Sequence, residues 1–318
     1  MRRTIRTRAR RGAAAWARGP ALGRRLALAG VLATSAASPL LAQELESARA
    51  AVEARIHASG AEAVGVYARA LERPDSLLIG AATRFHAASM MKVPVMIQVF
   101  RDVDARRLRL DQRLPVVNVF PSLVDGSPYS LNASDDSDSS LYGRVGHMAR
   151  VRELVDLMIT VSSNLATNIV IGRVGAVRAQ ATALALGADS IQVRRGVEDG
   201  KAYRAGLNNT TTARDLGVLF AAIAEGRAAS AASCRVMLDV LGRQHFAAGI
   251  PAGLPPGARV AHKTGWFTGT HHDGGVVALP DGRRYVLVVL TRGIQDTTAS
   301  ARLIADLAGT AHRALAPR

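Results

Sequence analysis

The stretch HAASMMKVPVM, from His86 to Met96, places Ser89 one helical turn before Lys92, and an apolar run with helical spacing follows. The lysine amine can therefore reach the serine hydroxyl if both side chains face one cleft. Only three of the 41 basic residues are lysines, and a lysine, unlike an arginine, can lose its proton when it is desolvated. The pair therefore suits a nucleophile and its base, although a serine N-cap followed by an ordinary lysine has the same pattern.

Two further segments carry polar side chains of the same kind. In VSSNLATN, Ser162 and Asn164 separate two apolar helical runs, so a hydroxyl for proton transfer and an amide for a substrate carbonyl can face one cleft. In HKTGW, Lys263 and Thr264 suit a carboxylate, while Gly265 permits close approach of the backbone. Taken singly, these segments are also what a helix junction and a strand ending in a turn look like.

The three patterns occur in the order S-x-x-K, S-x-N and K-T-G, on a helix start, a helix junction and a late strand. In this combination the chain resembles the penicillin-recognising serine hydrolases, and most closely the class A β-lactamases. The resemblance extends from the helix that starts at Glu44 to the last helix. It implies that Ser89 is the acylated nucleophile, Lys92 its proton acceptor or relay, and Ser162 the proton donor to the leaving nitrogen.

The resemblance also implies how the substrate is held. Asn164 would bind the substrate amide, and Lys263 with Thr264 would bind its carboxylate. The oxyanion would lie between the NH groups of Ser89 and Trp266. No metal and no other cofactor is implied.

The chain departs from the class A pattern at two places. Class A enzymes usually have S-D-N, whereas Ser163 stands in the middle position here. Their omega loop has E-P-x-x-N, whereas here Glu198 is followed by Asp199 in place of proline, and Ala202 replaces the asparagine. Glu198 is our candidate for the base that activates the deacylating water. The alternative is a solvated or ion-paired acid, in which case the acyl-enzyme would turn over slowly.

The segment RRGVEDGKAYRAGLNNTTT, residues 194–212, is called the omega-like loop below. We expect Arg194 or Arg195 to close its neck by binding Asn208 or Asn209, where the family commonly has an aspartate.

Two groups of residues invite a metal interpretation that we do not favour. His271 and His272 are followed by Asp273, but adjacent side chains on a strand point to opposite faces. The histidine pair would therefore be a poor chelate on a strand, and no third zinc ligand is indicated. The SDDSDSS run, residues 134–140, lacks the ordered ligand spacing and closing glutamate of a calcium loop. We predict a solvated loop there and no metal site.

Hydrophobic periodicity predicts the elements that position these residues. A helix is expected over 44–58 and a strand pair in AVGVYARAL and SLLIGAATRF, then six helices up to about residue 242, interrupted by a long connection over 116–147. Strands are expected in ARVAHKTGW, GGVVALP and RRYVLVVLTRG, followed by a last helix. We therefore predict an α/β (α+β) fold of the β-lactamase/transpeptidase-like type. An antiparallel sheet from residues 43–83 and 242–318 is flanked by helices from both chain ends, and residues 84–241 form an inserted all-α lobe.

Residues 1–42 read as a signal peptide, because nine arginines and no acid precede an apolar run that ends at Ala42. We expect cleavage after Ala42 and export to the periplasm or medium by the general (Sec) or twin-arginine (Tat) route, with no stable membrane anchor. Without those arginines the formal net charge falls from +16 to +7. Aromatic residues are only 4% of the chain, so a nucleic-acid partner is not indicated. The single cysteine, Cys234, has no intramolecular partner, so we expect a fold without disulfides. We also expect a monomer.

The sequence thus predicts an exported serine β-lactamase that acts on a small-molecule β-lactam through Ser89. Ser163 and the altered omega-like loop keep open a D,D-peptidase or esterase that acts on cell-wall peptides and deacylates slowly. A β-lactam sensor or binding module that is acylated without turnover is the third alternative, and it would require a membrane tether.

Overall fold

The computed structural model describes residues 39–316. The predicted signal peptide, residues 1–42, lies outside the described residues except for its last four positions, which begin the first helix. Among the described residues, no helix is both long and apolar enough to cross a membrane.

Along the sequence of the described chain, most helices lie between two groups of strands. They are α1 (Pro39–Ala58), α2 (Lys92–Asp104), α3 (Val151–Thr160), α4 (Asn164–Val174), α5 (Ala176–Ala185), α6 (Gly200–Arg204), α7 (Ala213–Ala224), α8 (Ala231–Gly242) and α9 (Thr297–Leu315). A 3-10 turn over Ala88–Met91 leads directly into α2. The helices expected from periodicity are present, and the short α6 inside the omega-like loop was not predicted.

The strands are β1 (Ala63–Ala70), β2 (Ser76–Ile79), β3 (Phe85–His86), β4 (Arg113–Pro115), β5 (Phe120–Pro121), β6 (Pro128–Tyr129), β7 (Met148–Arg150), β8 (Thr210–Thr211), β9 (Arg259–Phe267), β10 (Thr270–Ala278) and β11 (Arg284–Arg292). Five of them form one antiparallel sheet in the order β2-β1-β11-β10-β9. This sheet is built from the two chain ends, which confirms the predicted fold class. The predicted helical lobe also contains the short pairs β3-β8, β4-β7 and β5-β6.

Strand β11 lies at the centre of the sheet, and its alternate side chains enter two different cores. Leu287 and Val289 pack with helices α1 and α9 on one face, in the company of Val52 and Leu303. Val288 on the opposite face belongs to the larger core that extends into the helical region. Because side chains alternate along a strand, the near-continuous apolar run of β11 is what burial on both faces requires.

Helix α2 lies in the middle of the helical region and is buried nearly all round, with Lys92 at its first turn and Phe100 further along. An apolar helix of this kind is stable only when its neighbours cover every side. This burial places Ser89, in the 3-10 turn that precedes α2, against strand β9 at the exposed edge of the sheet.

Candidate active site

A cleft of about 900 Å³ lies between the β9 edge, the 3-10 turn, the start of α4 and the omega-like loop. It brings together seven of the predicted site residues, which line its wall: Ser89, Ser162, Asn164, Glu198, Thr264, Gly265 and Trp266. The two remaining predicted residues, Lys92 and Lys263, are completely buried beside it. The nine residues come from four segments of the chain, so their convergence is a result of the fold.

Lys92 donates to the Ser162 carbonyl oxygen at 2.5 Å, the Ser162 hydroxyl at 3.2 Å and Asn164 Oδ1 at 2.8 Å. Within the described chain, the Lys92 amine therefore donates to the S-x-N segment and not to the Ser89 hydroxyl. Burial lowers the pKa of Lys92 to about 7, although the charges of Asp136 and Glu198 oppose this shift. A substantial neutral fraction at neutral pH is what a general base requires.

Lys263 donates to the same Ser162 hydroxyl at 3.0 Å and to the Thr264 carbonyl oxygen at 2.7 Å. Burial and then the charge of Lys92 lower the pKa of Lys263 well below its usual value. Both lysine contacts are donations to Ser162 Oγ, so the serine's own hydrogen remains available for donation into the cleft.

Gly265 lets strand β9 approach the 3-10 turn that contains Ser89 closely. A Cβ atom at this position would lie 3.2 Å from the backbone nitrogen of Ser89 and 3.3 Å from the Cβ atom of Ala88. The prediction of a close backbone approach is thus confirmed. Trp266, the next residue, is 59% exposed at the cleft rim, so its side chain is accessible to a bound molecule.

Three of the non-glycine residues with positive φ lie in the cleft wall: Ala88 at 45°, Ser162 at 61° and Glu198 at 61°. Such conformations cost of order 1–3 kcal/mol each and persist where the surrounding structure enforces them, often at functional sites. In this cleft, one residue with such a conformation lies in each of three segments: the 3-10 turn, the S-x-N segment and the omega-like loop.

Glu198 accepts a hydrogen bond from Asn164 Nδ2 at 2.6 Å. Although part of the side chain is exposed, loss of hydration raises the pKa of Glu198, and the charges of Asp136 and Asp135 add to that shift while Asn164 opposes it. Asn164 thus binds Lys92 through its oxygen and Glu198 through its nitrogen, which connects two ionisable side chains of the site.

The omega-like loop is anchored at its neck as predicted, by Arg195 and not by the Arg194 side chain. Arg195 Nη2 donates to Asn208 Oδ1 at 2.9 Å, and Asn209 Oδ1 accepts from the backbone nitrogens of Arg194 at 2.8 Å and Arg195 at 3.2 Å. These contacts fix the segment that carries Glu198.

Asp199 occupies the position of the missing proline and is 2% exposed. Its carboxylate caps α6 by accepting from the Ala202 nitrogen at 3.0 Å, and it also accepts from Ser122 Oγ at 3.0 Å and the Leu123 nitrogen at 2.7 Å. The connection that carries the β5-β6 pair therefore supports the omega-like loop next to Glu198.

A family model described as the β-lactamase enzyme family matches residues 45–315 of the chain. This match spans the sheet, the helical lobe and every residue of the cleft.

The chain belongs to the β-lactamase enzyme family.

Solved structures agree with this membership. A β-lactamase from Sphaerobacter thermophilus DSM 20745 is 30% identical, covers 87% of this chain and 99% of its own, and superposes with a TM-score of 0.72. A PBP-A variant solved as an acyl-enzyme complex with penicillin G is 28% identical, with 87% and 97% covered and a TM-score of 0.72. A variant of a reconstructed ancestral class A β-lactamase is 23% identical, with 84% and 97% covered and a TM-score of 0.72, and shows the shared fold. The comparison with curated proteins gives no match.

The histidine pair next to the K-T-G strand has separate structural contacts in this member of the family. His271 lines the cleft and its Nδ1 lies 2.8 Å from Ser300 Oγ, whereas His272 is buried with Nε2 2.9 Å from the His86 carbonyl oxygen. Within residues 39–316, no group of three or more histidines, cysteines or acids is arranged to hold a metal ion.

Sequence reasoning missed several residues of the site. Asn168 holds the backbone of Val197 through both its amide atoms, at 2.7 and 3.0 Å, and its place one helical turn after Asn164 was the signal for it. His86 stacks on Phe267 with ring centroids 4.6 Å apart, and Tyr203 lies 5.6 Å from Phe267. These rings form an aromatic wall of the cleft for which the sequence offers no regular spacing.

The SDDSDSS run was predicted to be a solvated loop, and for Asp136 this is wrong. Both of its carboxylate oxygens lie 2.9 Å from the backbone nitrogen of Asn164, and Oδ2 also lies 2.9 Å from that of Leu165. The free NH groups at a helix start attract a carboxylate, and the fold brings this one from a distant part of the chain.

Proposed function

We propose that this protein is a serine β-lactamase of class A type that opens the β-lactam amide through an acyl-enzyme on Ser89. The observation that carries the proposal is the buried junction in which Lys92 and Lys263 both bind the Ser162 hydroxyl while Asn164 links Lys92 to Glu198. The relation to PBP-A, of which a variant forms an acyl-enzyme with penicillin G, supports it.

In the acylation step, the neutral amine of Lys92 takes the proton of Ser89 as Oγ attacks the β-lactam carbonyl carbon. Lys92 and Ser89 approach each other when substrate closes the site, since catalytic hydrogen bonds commonly tighten only in the complex. The backbone NH groups of Ser89 and Trp266 stabilise the developing oxyanion. The carbon–nitrogen bond then breaks, and Ser162 gives its proton to the leaving nitrogen and is reprotonated from a lysine.

The substrate is oriented by charge and by the strand edge. Lys263 and Thr264 hold the carboxylate that β-lactams carry, and the Asn164 amide binds the side-chain amide. A pre-organised site of this kind supplies much of the rate enhancement in acyl transfer.

In the deacylation step, Glu198 removes a proton from a water molecule that attacks the carbonyl carbon of the Ser89 ester. That proton is passed on to Ser89 Oγ as the ester bond breaks and the acid product leaves, so Glu198 returns to its ionised form. The step requires ionised Glu198, so its rate rises with pH through a pKa that lies above the ordinary glutamate value.

Hydrolysis of a chromogenic β-lactam by the purified mature protein tests whether the protein is this enzyme. The wild type should hydrolyse it, and Ser89→Ala should lower kcat at least about a thousandfold, because no second nucleophile replaces the hydroxyl. The exposed loop variant Ser134→Ala is the matched control and should behave as wild type. Undiminished turnover by Ser89→Ala would rule out the proposed mechanism.

A second candidate function is a penicillin-binding serine hydrolase that deacylates slowly. Buried Ala202 stands where the family has the asparagine that helps to position the deacylating water, which favours this candidate. The lifetime of the acyl-enzyme distinguishes the two: a lifetime of seconds or less supports the β-lactamase, and one of hours supports the alternative.

A further inference from the structure

We propose that Asp136 is the positioning residue of the catalytic S-x-N segment, supplying from a distant loop the carboxylate that class A enzymes carry between the serine and the asparagine. The proposal rests on the proposed function, because it assigns Asp136 a role in the reaction of Ser89. Asp136 lies in the loop between β6 and β7, 28 residues before Asn164.

The Asp136 carboxylate binds the backbone at the start of α4. Ser163 is the N-cap, and its hydroxyl accepts from the Ala166 nitrogen at 3.3 Å. That cap leaves the NH groups of Asn164 and Leu165 without intrahelical partners. The Asp136 carboxylate accepts from both of them at 2.9 Å, so it fixes the backbone of the residue whose side chain binds Lys92 and Glu198.

Asp136 is itself held in place by a residue of its own loop. Tyr142, in the same loop, donates its hydroxyl hydrogen to Oδ2 at 3.0 Å. The other carboxylates of the run have different contacts: Asp138, for example, accepts from the backbone nitrogen and hydroxyl of Ser140, at 3.3 and 2.9 Å. Asp136 thus differs from its neighbours by its direct contact with catalytic backbone.

The charge of Asp136 also acts on Lys92 and Glu198. Lys92 faces the carboxylates of Asp136 and Glu198 and the ammonium of Lys263, whereas Glu198 faces Asp136, Asp135 and Lys92. The negative charge of Asp136 raises the pKa of both Lys92 and Glu198. Removing that charge should therefore lower both pKa values, which a change in packing alone would not do.

The test is Asp136→Asn, because an amide oxygen still accepts from the helix start while the charge is lost. Acylation needs neutral Lys92 and deacylation needs ionised Glu198, so both rates rise with pH through the respective pKa. In Asp136→Asn, the acid limbs of two pH–rate profiles, that of acylation and that of deacylation, should both move to lower pH by about 0.5–1 unit. In Asp136→Ala, which also loses the hydrogen bonds, kcat/KM should fall about tenfold or more.

The measurements are kcat/KM and single-turnover deacylation of a chromogenic cephalosporin from pH 5 to 9. Asp138→Asn removes a carboxylate from the same loop without touching α4. Its pH–rate profiles should have the same acid limbs as those of the wild type. If Asp136→Asn does not fold, Tyr142→Phe serves instead: it frees the carboxylate but keeps its charge, and should lower kcat/KM several-fold with unmoved limbs.

The outcomes separate the two proposals. An inactive wild type would reject the proposed function and this inference with it. If the wild type is active and its pH–rate profiles match those of Asp136→Asn, the positioning role alone is rejected. Where Tyr142→Phe is used instead, an unchanged kcat/KM rejects it.

Discussion

At the scale of single residues, the site depends on two lysines that the fold has removed from water. Lys92 and Lys263 are fully buried, and neither forms an ion pair within the described residues. Burial disfavours the protonated form of an amine, and for Lys92 this effect outweighs the opposing charges of Asp136 and Glu198. Burial of Lys92 costs the fold free energy, and in the proposed mechanism it also allows Lys92 to act as a base near neutral pH.

This cost predicts a pH-dependent stability. The pKa of Lys92 is about 7 in the folded state against 10.5 as its ordinary value, so the unfolded chain binds more protons between these values and wild-type stability increases with pH there. Lys92→Met removes this dependence. The free energy of unfolding of the wild type, measured relative to Lys92→Met by urea titration, should rise from pH 7 to pH 10 by up to about 1.4 kcal/mol per pH unit.

Lys201→Met is the control, because it removes an exposed lysine, and its stability should run parallel to that of the wild type across the same range. A constant difference between wild type and Lys92→Met would show that Lys92 is not a desolvated amine in the folded protein.

The sequence indicated the lysines at this scale because they are rare in an arginine-rich chain, and because each sits in a pattern with a hydroxyl nearby. It did not indicate where Lys92 donates its hydrogen bonds. That depends on Ser162 and Asn164 arriving from another helix junction, and such tertiary contacts leave no local trace in the sequence.

At the scale of elements, the omega-like loop is held by its neighbours more than by its own sequence. Asp199 caps α6 and binds Ser122 and Leu123 in the preceding connection. These contacts replace the rigidity that the missing proline would have supplied to the residue before it.

Asp199→Ala should therefore loosen Glu198. We expect the deacylation rate to fall about tenfold or more while acylation of Ser89 changes little, and the loss of the helix cap to lower the free energy of unfolding by about 1 kcal/mol. Single-turnover kinetics with penicillin G measure both steps. Asp281→Ala, in the remote turn before β11, is the matched control, and an unchanged deacylation rate in Asp199→Ala would contradict this account of the loop.

Strands and helices with strong periodicity were predictable. The apolar run of β11 and the spacing of α2, α3 and α9 have clear patterns, because burial against the core selects them directly. The start of β10 at Thr270 was missed, since His271, His272 and Asp273 lack β-branched alternation and are ordered by pairing with β9. The docking of Asp136 on α4 was missed for the same reason, as it is set by a tertiary contact.

At the scale of the whole molecule, the sheet from both chain ends presents β9 at its edge, and the helical region brings Ser89, Ser162 and Glu198 to that edge. The match over residues 45–315 and the shared fold of the solved relatives account for this arrangement. The contacts of Asp136 and Asp199 lie at the two places where the motifs of this chain depart from the class A pattern.

We also propose that the protein is exported and that residues 1–42 are removed, on the basis of the basic segment and apolar run that precede Gln43. N-terminal sequencing of the protein recovered from the periplasm or medium should begin at Gln43. A retained apolar segment on membrane-bound protein would contradict the proposal and favour a tethered sensor.

The central claim is that Ser89 accepts an acyl group from a β-lactam. Mass spectrometry of the mature protein, quenched with acid within a second of mixing with penicillin G, tests it most directly. We predict a mass increase equal to one penicillin, located by peptide mapping on the peptide that contains Ser89, absent in Ser89→Ala, and lost again as product is released. An adduct on another residue would contradict the claim, as would hydrolysis of penicillin G that continues in Ser89→Ala.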